Sequence, residues 1–236
     1  MNHLSRRAWR VIFAFLTALL LASWALYNTE QQQQAIQNAP PPAGSELASK
    51  ALETLPVKGR APKTGYSRAA FGNGWAADGA CDVREKILAR DMTRVQYKST
   101  TDCAVLSGVL DDPYTGKTIA FVRGPSTSSD VQIDHVVALG DAWQKGAQQL
   151  SYSVRVQLYN DPLELLAVDG PANEQKSDGD AATWLPPNKS YRCRYVARQI
   201  AVKQKYHLWV TQAEHDAMMR ILTTCPTQVL PVTATI

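Results

Sequence analysis

Two segments, VQIDHVVAL (131–139) and LYNDPLELLAVDGPANEQKSD (158–178), decide how this chain folds. The first is typical of a short strand and carries Asp134 beside His135. The second predicts another strand, which ends at a Gly-Pro turn and continues as a helical turn. Strand, strand and helix in this order form a compact frame that can hold one divalent metal ion.

Four polar side chains in these segments suit the in-line attack of water on a phosphodiester. Such an attack needs a base for the water and a cation at the departing oxygen. Neighbouring residues of a strand point to opposite faces, so His135 can act on the water while Asp134 reaches a metal, provided that the strand end bends. Asn173 adds a neutral oxygen ligand, and Lys176 would hold a phosphate oxygen. A carboxylate and an amide, with the remaining positions taken by water, match Mg²⁺ or Mn²⁺ better than zinc.

The same residues also have purely structural interpretations. A single histidine is more often structural than catalytic, and Asn173, which follows a Gly-Pro pair, also suits a helix cap. It is the conjunction of His135 with the acid and the amide that favours a chemical role.

The composition leaves room for one folded domain in 236 residues. The formal net charge of +4 includes three arginines near the N-terminus, and the chain from residue 28 onward has 22 basic and 21 acidic residues. Residues 11–26 form an uncharged apolar run behind this basic flank, which predicts a signal peptide or a signal-anchor helix over residues 1–27. Cleavage and retention both stay open, and we expect the rest of the chain to be secreted or to lie on the cell surface.

Composition also predicts the domain boundaries. Residues 28–62 read as a disordered Gln/Pro-rich linker, because they offer little apolar surface, although 45–55 could form a short helix. We expect a folded domain over 63–226 and a loose tail over 227–236. Short strands are expected near 94–97, 103–110 and 118–123, preceded by a helix that Asp82 and Glu85 would cap.

Four cysteines lie in the exported part of the chain: Cys81, Cys103, Cys193 and Cys225. An even number in an oxidising compartment predicts two disulfides, and no CxxC pair indicates a zinc site. Of the three possible connectivities we favour Cys81 with Cys103 and Cys193 with Cys225, which would join each flanking helix to its neighbour.

The C-terminal section from 181 to 213 contains no acidic residue and several basic and aromatic ones. Arg194 and Arg198 are therefore predicted to contact nucleic-acid phosphates. A solvated helix face is the alternative, since apolar residues on the same segment pack inward.

Several motifs of the chain resemble those of the HNH endonuclease superfamily, in the exported branch that is similar to the C-terminal nuclease domain of GmrSD-type restriction enzymes. The resemblance covers residues 66–225. The motifs that carry it are FGNGW (71–75), CDVRE (81–85), DPYTG (112–116), IDHVVAL (133–139), NDPLELLAVDGPANEQKSD (160–178) and AATWLPP (181–187).

This resemblance implies an α+β fold with a ββα-metal core, flanking helices and short strands, one divalent metal and hydrolysis of nucleic acid. His135 matches the general base of the family, Asp134 a metal ligand, and Asn173 the third motif residue, which ligates the metal. The central asparagine of the family steadies the loop that holds the base. This chain has Glu164 at that place, and Asn160 lies near it but outside the register.

The sequence therefore predicts an exported, metal-dependent HNH-type endonuclease that acts on DNA or RNA. Two alternatives from other classes remain. One is a surface module that binds nucleic acid on the same scaffold without efficient catalysis, which Glu164 makes credible. The other is a disulfide-stabilised envelope protein with no nucleic-acid contact. No protein partner is indicated, and the membrane is a partner if the N-terminal helix is retained.

Overall fold

The structure is a computed structural model that describes residues 45–99 and 102–231, with 16–17, 19–25 and 27–28 of the N-terminal segment. The chain divides into two units, residues 1–41 and 42–236. Described residues of the first unit are helical. Among the described residues, no helix is both long enough and apolar enough to cross a membrane. The predicted signal or anchor segment and the glutamine-rich part of the predicted linker lie largely outside the described residues.

The second unit has a mixed α+β fold, as predicted, with helices around small antiparallel sheets. The strands are β1 (Ala77–Asp78), β2 (Cys81–Asp82), β3 (Thr93–Ser99), β4 (Asp102–Asp111), β5 (Thr118–Val122), β6 (Val131–His135) and β7 (Leu165–Asp169). The helices are α1 (Ala48–Thr54), α2 (Val83–Asp91), α3 (Leu139–Gln144), α4 (Tyr152–Tyr159), α5 (Gly170–Lys176), α6 (Arg192–Lys205) and α7 (Gln212–Leu222). Strand β1 pairs with β2, β4 lies between β3 and β5, and β6 pairs with β7.

The hairpin of β6 and β7 is buried on both faces. His135 lies opposite Leu165 and Asp134 opposite Leu166. Opposite residues of paired strands share a face of the sheet. His135 therefore points to the same side as Leu165, and Asp134 to the same side as Leu166. Leu165 packs in a cluster with α2 and the β3–β5 sheet, whereas Leu166 packs in a cluster with α1, α6 and α7. His135 and Asp134 therefore leave the strand on opposite sides, as the sequence predicted.

Helix α5 begins directly at the end of β7. The Asp169 side chain accepts a hydrogen bond of 2.8 Å from the backbone N–H of Ala172 and so caps the helix. Gly170 packs so closely against the turn before β6 that a Cβ at this position would lie 2.0 Å from the Ser129 carbonyl oxygen. Only glycine fits there. This close approach fixes α5 against β6 and sets where its polar side chains fall.

Both predicted disulfides are confirmed. One joins Cys81 on β2 to Cys103 on β4, with 5.4 Å between the Cα atoms. The other joins Cys193 on α6 to Cys225, which follows α7, with 6.5 Å between the Cα atoms. The first bridge holds the α2 segment to the three-stranded sheet, and the second holds the last two helices together.

The last part of the predicted linker, residues 45–62, is folded in the structure. Helix α1 packs into the hydrophobic core, and Ala48, Ala51 and Leu52 are all 0% exposed. Downstream of α1, Val57 forms an isolated bridge with Val210. Residues 45–62 are therefore part of the folded unit. Ala48, Ala51 and Leu52 are spaced by three and four residues, which places them on one face of the helix. The polar composition of the whole segment made this apolar face easy to miss.

Part of the predicted C-terminal tail, residues 227–231, is also folded against the domain. Leu47 and Val229 form an antiparallel bridge, and the backbone N–H of Leu230 donates to the carbonyl of Glu46 at 2.9 Å. Residues 227–231 thus follow the chain that leads into α1. The paired residues lie at opposite ends of the domain sequence, so no local pattern in the tail predicts this contact.

Replacing Leu52 with alanine tests this corrected boundary. Deletion of a fully buried leucine side chain leaves a cavity, so we expect the free energy of unfolding to fall by roughly 2–5 kcal/mol. Val57→Ala is the matched control, because Val57 is 45% exposed and should change stability by about 0.5 kcal/mol or less. Urea unfolding of both variants measures the difference. Equal, small effects would mean that residues 45–62 do not pack on the domain.

Candidate active site

A pocket of about 290 Å³ opens where β6 ends, beside α5. It brings together residues from the predicted site and residues from the start of the folded unit. Its lining includes Arg68, Gln132, Asp134, His135, Asn173 and Asp178. Three of the predicted site residues, His135, Asp134 and Asn173, therefore border one cavity, even though two of them leave β6 on opposite sides.

The His135 ring is held by a hydrogen bond and by a stacked aromatic ring. Its Nε2 lies 3.0 Å from the carbonyl oxygen of Tyr159, and the ring stacks parallel to Trp75 with 5.8 Å between centroids. A carbonyl oxygen can only accept, so Nε2 carries the hydrogen and Nδ1 keeps its lone pair. Burial, with a further contribution from the charge of Arg68, lowers the pKa of His135 to about 3. The imidazole is thus neutral at neutral pH, and the contact with Tyr159 does not use the lone pair of Nδ1.

Asp134 is 4% exposed and accepts one hydrogen bond on each oxygen. The Tyr114 hydroxyl donates to Oδ2 at 2.5 Å, and the Lys176 ammonium donates to Oδ1 at 2.8 Å. Burial, together with the Asp134 charge, holds the pKa of Tyr114 well above its usual value. Tyr114 therefore stays a hydrogen-bond donor over the whole physiological pH range.

The position of Lys176 corrects the role predicted for it. Its side chain is 2% exposed, and Nζ donates to the backbone carbonyl of His135 at 2.8 Å as well as to Asp134. An ammonium group turned inward in this way cannot hold a phosphate in the pocket. Lys176 instead connects α5 to the end of β6 and fixes the two site residues there.

Asn173 lies on α5, partly exposed, and its amide has a defined orientation. Its Nδ2 donates to Oε1 of Gln132 at 2.8 Å, and Nε2 of Gln132 in turn donates to Glu174 at 3.0 Å. Because the amide nitrogen is engaged, Oδ1 is the end left to accept. Within the described part of the chain, we observe no hydrogen bond to Oδ1 of Asn173.

Glu164 steadies the residues that follow His135. Its Oε2 accepts from the backbone N–H of Val137 at 3.1 Å, and its carbonyl accepts from Val136 at 2.9 Å. Full burial raises the pKa of Glu164 well above its usual value, which favours the neutral form of the side chain. Asn160 instead accepts from the backbone N–H of Ala76 at 2.8 Å, outside this loop.

The donor set can be compared with the needs of a metal ion. Asp134 keeps lone pairs beyond its two hydrogen bonds, and Asn173 offers Oδ1, so both donors are oxygen. The residues that the structure describes contain no group of three or more His, Cys, Asp or Glu that could hold a metal ion. Two oxygen donors fit a hard cation that keeps several waters, such as Mg²⁺ or Mn²⁺, and do not fit a zinc site.

The two arginines predicted to contact substrate differ in their surroundings. Arg194 is exposed, with its guanidinium 5.1 Å from the Tyr191 ring centroid. Arg198 is half-buried and donates to the carbonyls of Leu163, Pro162 and Leu165 at 2.7, 2.9 and 2.8 Å. Arg198 is therefore committed to the loop before β7, which corrects its predicted role. Contact of Arg194 with nucleic acid remains a prediction.

Sequence reasoning missed several residues that shape the pocket. Arg68 and Tyr66 line it from the segment at the start of the folded unit. Trp75 stacks on His135, and Tyr114 donates a hydrogen bond to Asp134. Asp178, which follows α5, also lines the pocket. Arg68 and Tyr66 lie more than sixty residues before His135 in the sequence, and no spacing rule connects them to it. The tyrosine in the DPYTG turn could have been found only by asking what satisfies a buried aspartate.

Two comparisons with known proteins bear on this site. The model of the family described as GmrSD restriction endonucleases, C-terminal domain, matches residues 82–221. An uncharacterized secreted protein of Arthroderma benhamiae is 39% identical over 183 residues, which is 77% of this chain and 86% of the relative. No solved structure matches. The family match includes β6, β7 and α5 and begins after Arg68 and Trp75.

Arg198 and Arg194 lie on the same helix and provide a matched test of their different surroundings. Arg198→Gln should lower the free energy of unfolding by roughly 2–3 kcal/mol, because charged hydrogen bonds to partly buried carbonyls are lost. Arg194→Gln removes the same charge from an exposed position and should change it by about 0.5 kcal/mol or less. Urea unfolding decides. If the two variants are equally stable, the contacts of Arg198 do not stabilise the loop.

Glu164→Gln tests the neutral state of the buried acid. A carboxyl group whose pKa is raised in the folded state contributes stability below its unfolded pKa and loses it as pH rises. The glutamine variant has no such loss. Its stability relative to the wild type should therefore increase between pH 5 and pH 8, by at most about 1.4 kcal/mol per pH unit. Chemical denaturation across this range measures the difference, with exposed Glu174→Gln as control. A difference independent of pH would mean that Glu164 is ionised in the fold.

Proposed function

This chain belongs to the family of the C-terminal domain of GmrSD restriction endonucleases, and we propose that it is an exported, metal-dependent HNH-type endonuclease. Its substrate on this proposal is DNA or RNA, cleaved at phosphodiester bonds. The observation that carries the proposal is the contact between His135 Nε2 and the carbonyl oxygen of Tyr159. The hydrogen bond from Nε2 to Tyr159 leaves Nδ1 as a neutral proton acceptor at a pocket that also presents Asp134 and Asn173.

In the proposed mechanism His135 takes a proton from the attacking water at Nδ1. Trp75 and Tyr159 hold the ring, so little reorientation is needed when the proton moves. The resulting imidazolium forms in a buried site, and the substrate phosphate would offset its charge. A positioned base of this kind typically contributes about 10²- to 10⁴-fold to the rate.

Asp134 and Asn173 are the residues that would hold the divalent cation. When bound, the cation would supply positive charge for the oxygen that leaves the phosphorus. Tyr114 and Lys176 keep the carboxylate of Asp134 in place through both of its oxygens, and Gln132 turns the amide of Asn173. The ligands are thus set before the cation arrives, which reduces the ordering that binding must drive.

The acid at position 164 supports an active enzyme over an inactive scaffold. As a neutral acid, Glu164 still offers an oxygen to the backbone N–H of Val137, which is the task that the resemblance assigns to an asparagine. The loop after the proposed base is therefore held in this chain as well. A binding module without catalysis would have no need of a neutral, oriented His135.

Export is proposed on two observations. The relative that matches over most of its length is described as secreted, and both disulfides suit an oxidising compartment. Retention of the N-terminal segment would anchor the nuclease at the membrane. The exposed Arg194 is proposed to contact flanking phosphates, a contact that would not depend on base sequence.

Replacing His135 and Asn173 separately should give two different defects in cleavage of supercoiled plasmid. His135→Ala should lower the rate at saturating metal by about 10²- to 10⁴-fold and leave the metal concentration for half-maximal rate unchanged, because the base is lost and the ligands stay. Asn173→Ala should raise that concentration, and excess Mn²⁺ should partly restore the rate, because water can replace the lost ligand.

His215→Ala is the matched control, since this histidine lies on α7 outside the pocket lining. It should cleave like the wild type. Wild-type protein that does not cleave in Mg²⁺ or Mn²⁺ contradicts the proposed activity and favours the binding-module alternative. Metal rescue of His135→Ala would instead make His135 a ligand.

A further inference from the structure

The charges around the pocket are compensated with one exception. Asp134 is paired with Lys176, and Asp178 is paired with Lys63 at 2.5 Å. Arg68 is the one lysine or arginine among the residues that line the pocket. Within residues 45–99 and 102–231 we observe no ion pair made by its guanidinium. The side chains at this opening therefore carry one uncompensated positive charge.

The contacts of Arg68 leave most of its hydrogen-bonding capacity unused. Its guanidinium lies 5.3 Å from the ring centroid of Tyr159, and Nη2 makes a long hydrogen bond of 3.4 Å to the Tyr159 hydroxyl. A guanidinium has five N–H donors in a planar fork, so several still face solvent at this exposed residue. The aromatic face restrains the group without neutralising it.

Tyr159 also places Arg68 relative to His135. Its ring contacts the His135 ring, with 4.6 Å between centroids, and its carbonyl accepts from His135 Nε2. Tyr159 thus contacts both the proposed base, His135, and the guanidinium of Arg68. Arg68 and His135 line the same pocket, so one ligand bound there can contact both residues.

We propose that Arg68 is a catalytic residue that binds the non-bridging oxygens of the scissile phosphodiester, the task that Lys176 is too buried to perform. This inference rests on the proposed nuclease function and adds the group that recognises its substrate. A planar fork matches two phosphate oxygens at once and holds the diester for in-line attack. The same contact stabilises the charge that those oxygens gain as the water attacks.

The test uses the full chain and a small diester, thymidine 5′-(p-nitrophenyl) phosphate, which has no flanking phosphates. Its affinity is measured by NMR titration in EDTA, and its hydrolysis in Mn²⁺ through release of p-nitrophenolate. The variants are Arg68→Gln, which removes the charge, and Arg68→Lys, which keeps the charge without the fork. Arg220→Gln is the matched control, because it removes an exposed arginine from α7, outside the pocket lining.

Arg68→Gln should weaken binding in EDTA about tenfold, as expected for the loss of a charged hydrogen bond. It should lower kcat/KM by about 10²- to 10³-fold, as expected for a group that stabilises developing charge. Arg68→Lys should keep most of the affinity and recover only part of the rate. Arg220→Gln should match the wild type in both measurements, and all variants should unfold at the wild-type temperature.

Several outcomes would overturn the inference. The first is that Arg68→Gln binds and hydrolyses the small diester as well as the wild type does. This holds even if the variant cleaves plasmid poorly, because Arg68 would then contact only flanking phosphates. Absence of binding by the wild type would overturn the inference as well. Binding in EDTA that depends on Arg68, without hydrolysis by the wild type in any metal, would support the anion site and contradict the proposed nuclease activity.

Discussion

The buried ion pair between Lys176 and Asp134 is the interaction on which the site depends. Both groups are almost fully excluded from solvent, and taking charges out of water is costly unless the partners are well placed. Lys176 also donates to the backbone carbonyl of His135, and Tyr114 occupies the other oxygen of Asp134. Removal of either charged partner would leave an unpaired buried charge, which typically costs about 3–5 kcal/mol. The pair thus holds α5, β6 and the DPYTG turn at one point.

Around this pair, each side chain of the site is held by a residue from a different part of the chain. The ring of His135 depends on Tyr159 and Trp75, and the loop after it depends on Glu164. These partners act through one carbonyl, one aromatic face and one neutral acid. None of them therefore carries a negative charge that would raise the pKa of His135. A neutral imidazole in a buried position is the chemical result of this arrangement.

Local patterns in the sequence predicted the frame of the site well. The alternating and apolar runs of β6 and β7 and the caps of the helices are set by neighbouring residues. The number of disulfides follows from simple counting, whereas their connectivity was a choice among three possibilities. Asp134, His135 and Asn173 were proposed as site residues because they sit on that frame, and all three line one pocket. Helix α1 was assigned to a linker because it has few apolar residues. They stabilise the helix only by packing on core residues that are distant in the sequence.

The errors at the site have the same physical origin. Whether a lysine or an arginine faces solvent depends on which acceptors lie nearby in the fold. Lys176 turns toward Asp134, and Arg198 toward two carbonyls of the loop before β7 and one of its first residue. Arg68 escaped notice because its proximity to His135 arises from the packing of Tyr159 between them. These partners are tertiary, and a spacing rule along the chain cannot supply them.

The central claim is that Asp134 and Asn173 hold one divalent cation beside a neutral His135. Anomalous diffraction from crystals of the His135→Ala protein grown with Mn²⁺ and a short DNA duplex tests it most directly. The account predicts one anomalous peak at coordination distance from a carboxylate oxygen of Asp134 and from Oδ1 of Asn173, next to a phosphate of the duplex. A bound duplex with no peak at these two residues, or with manganese held elsewhere, would contradict it.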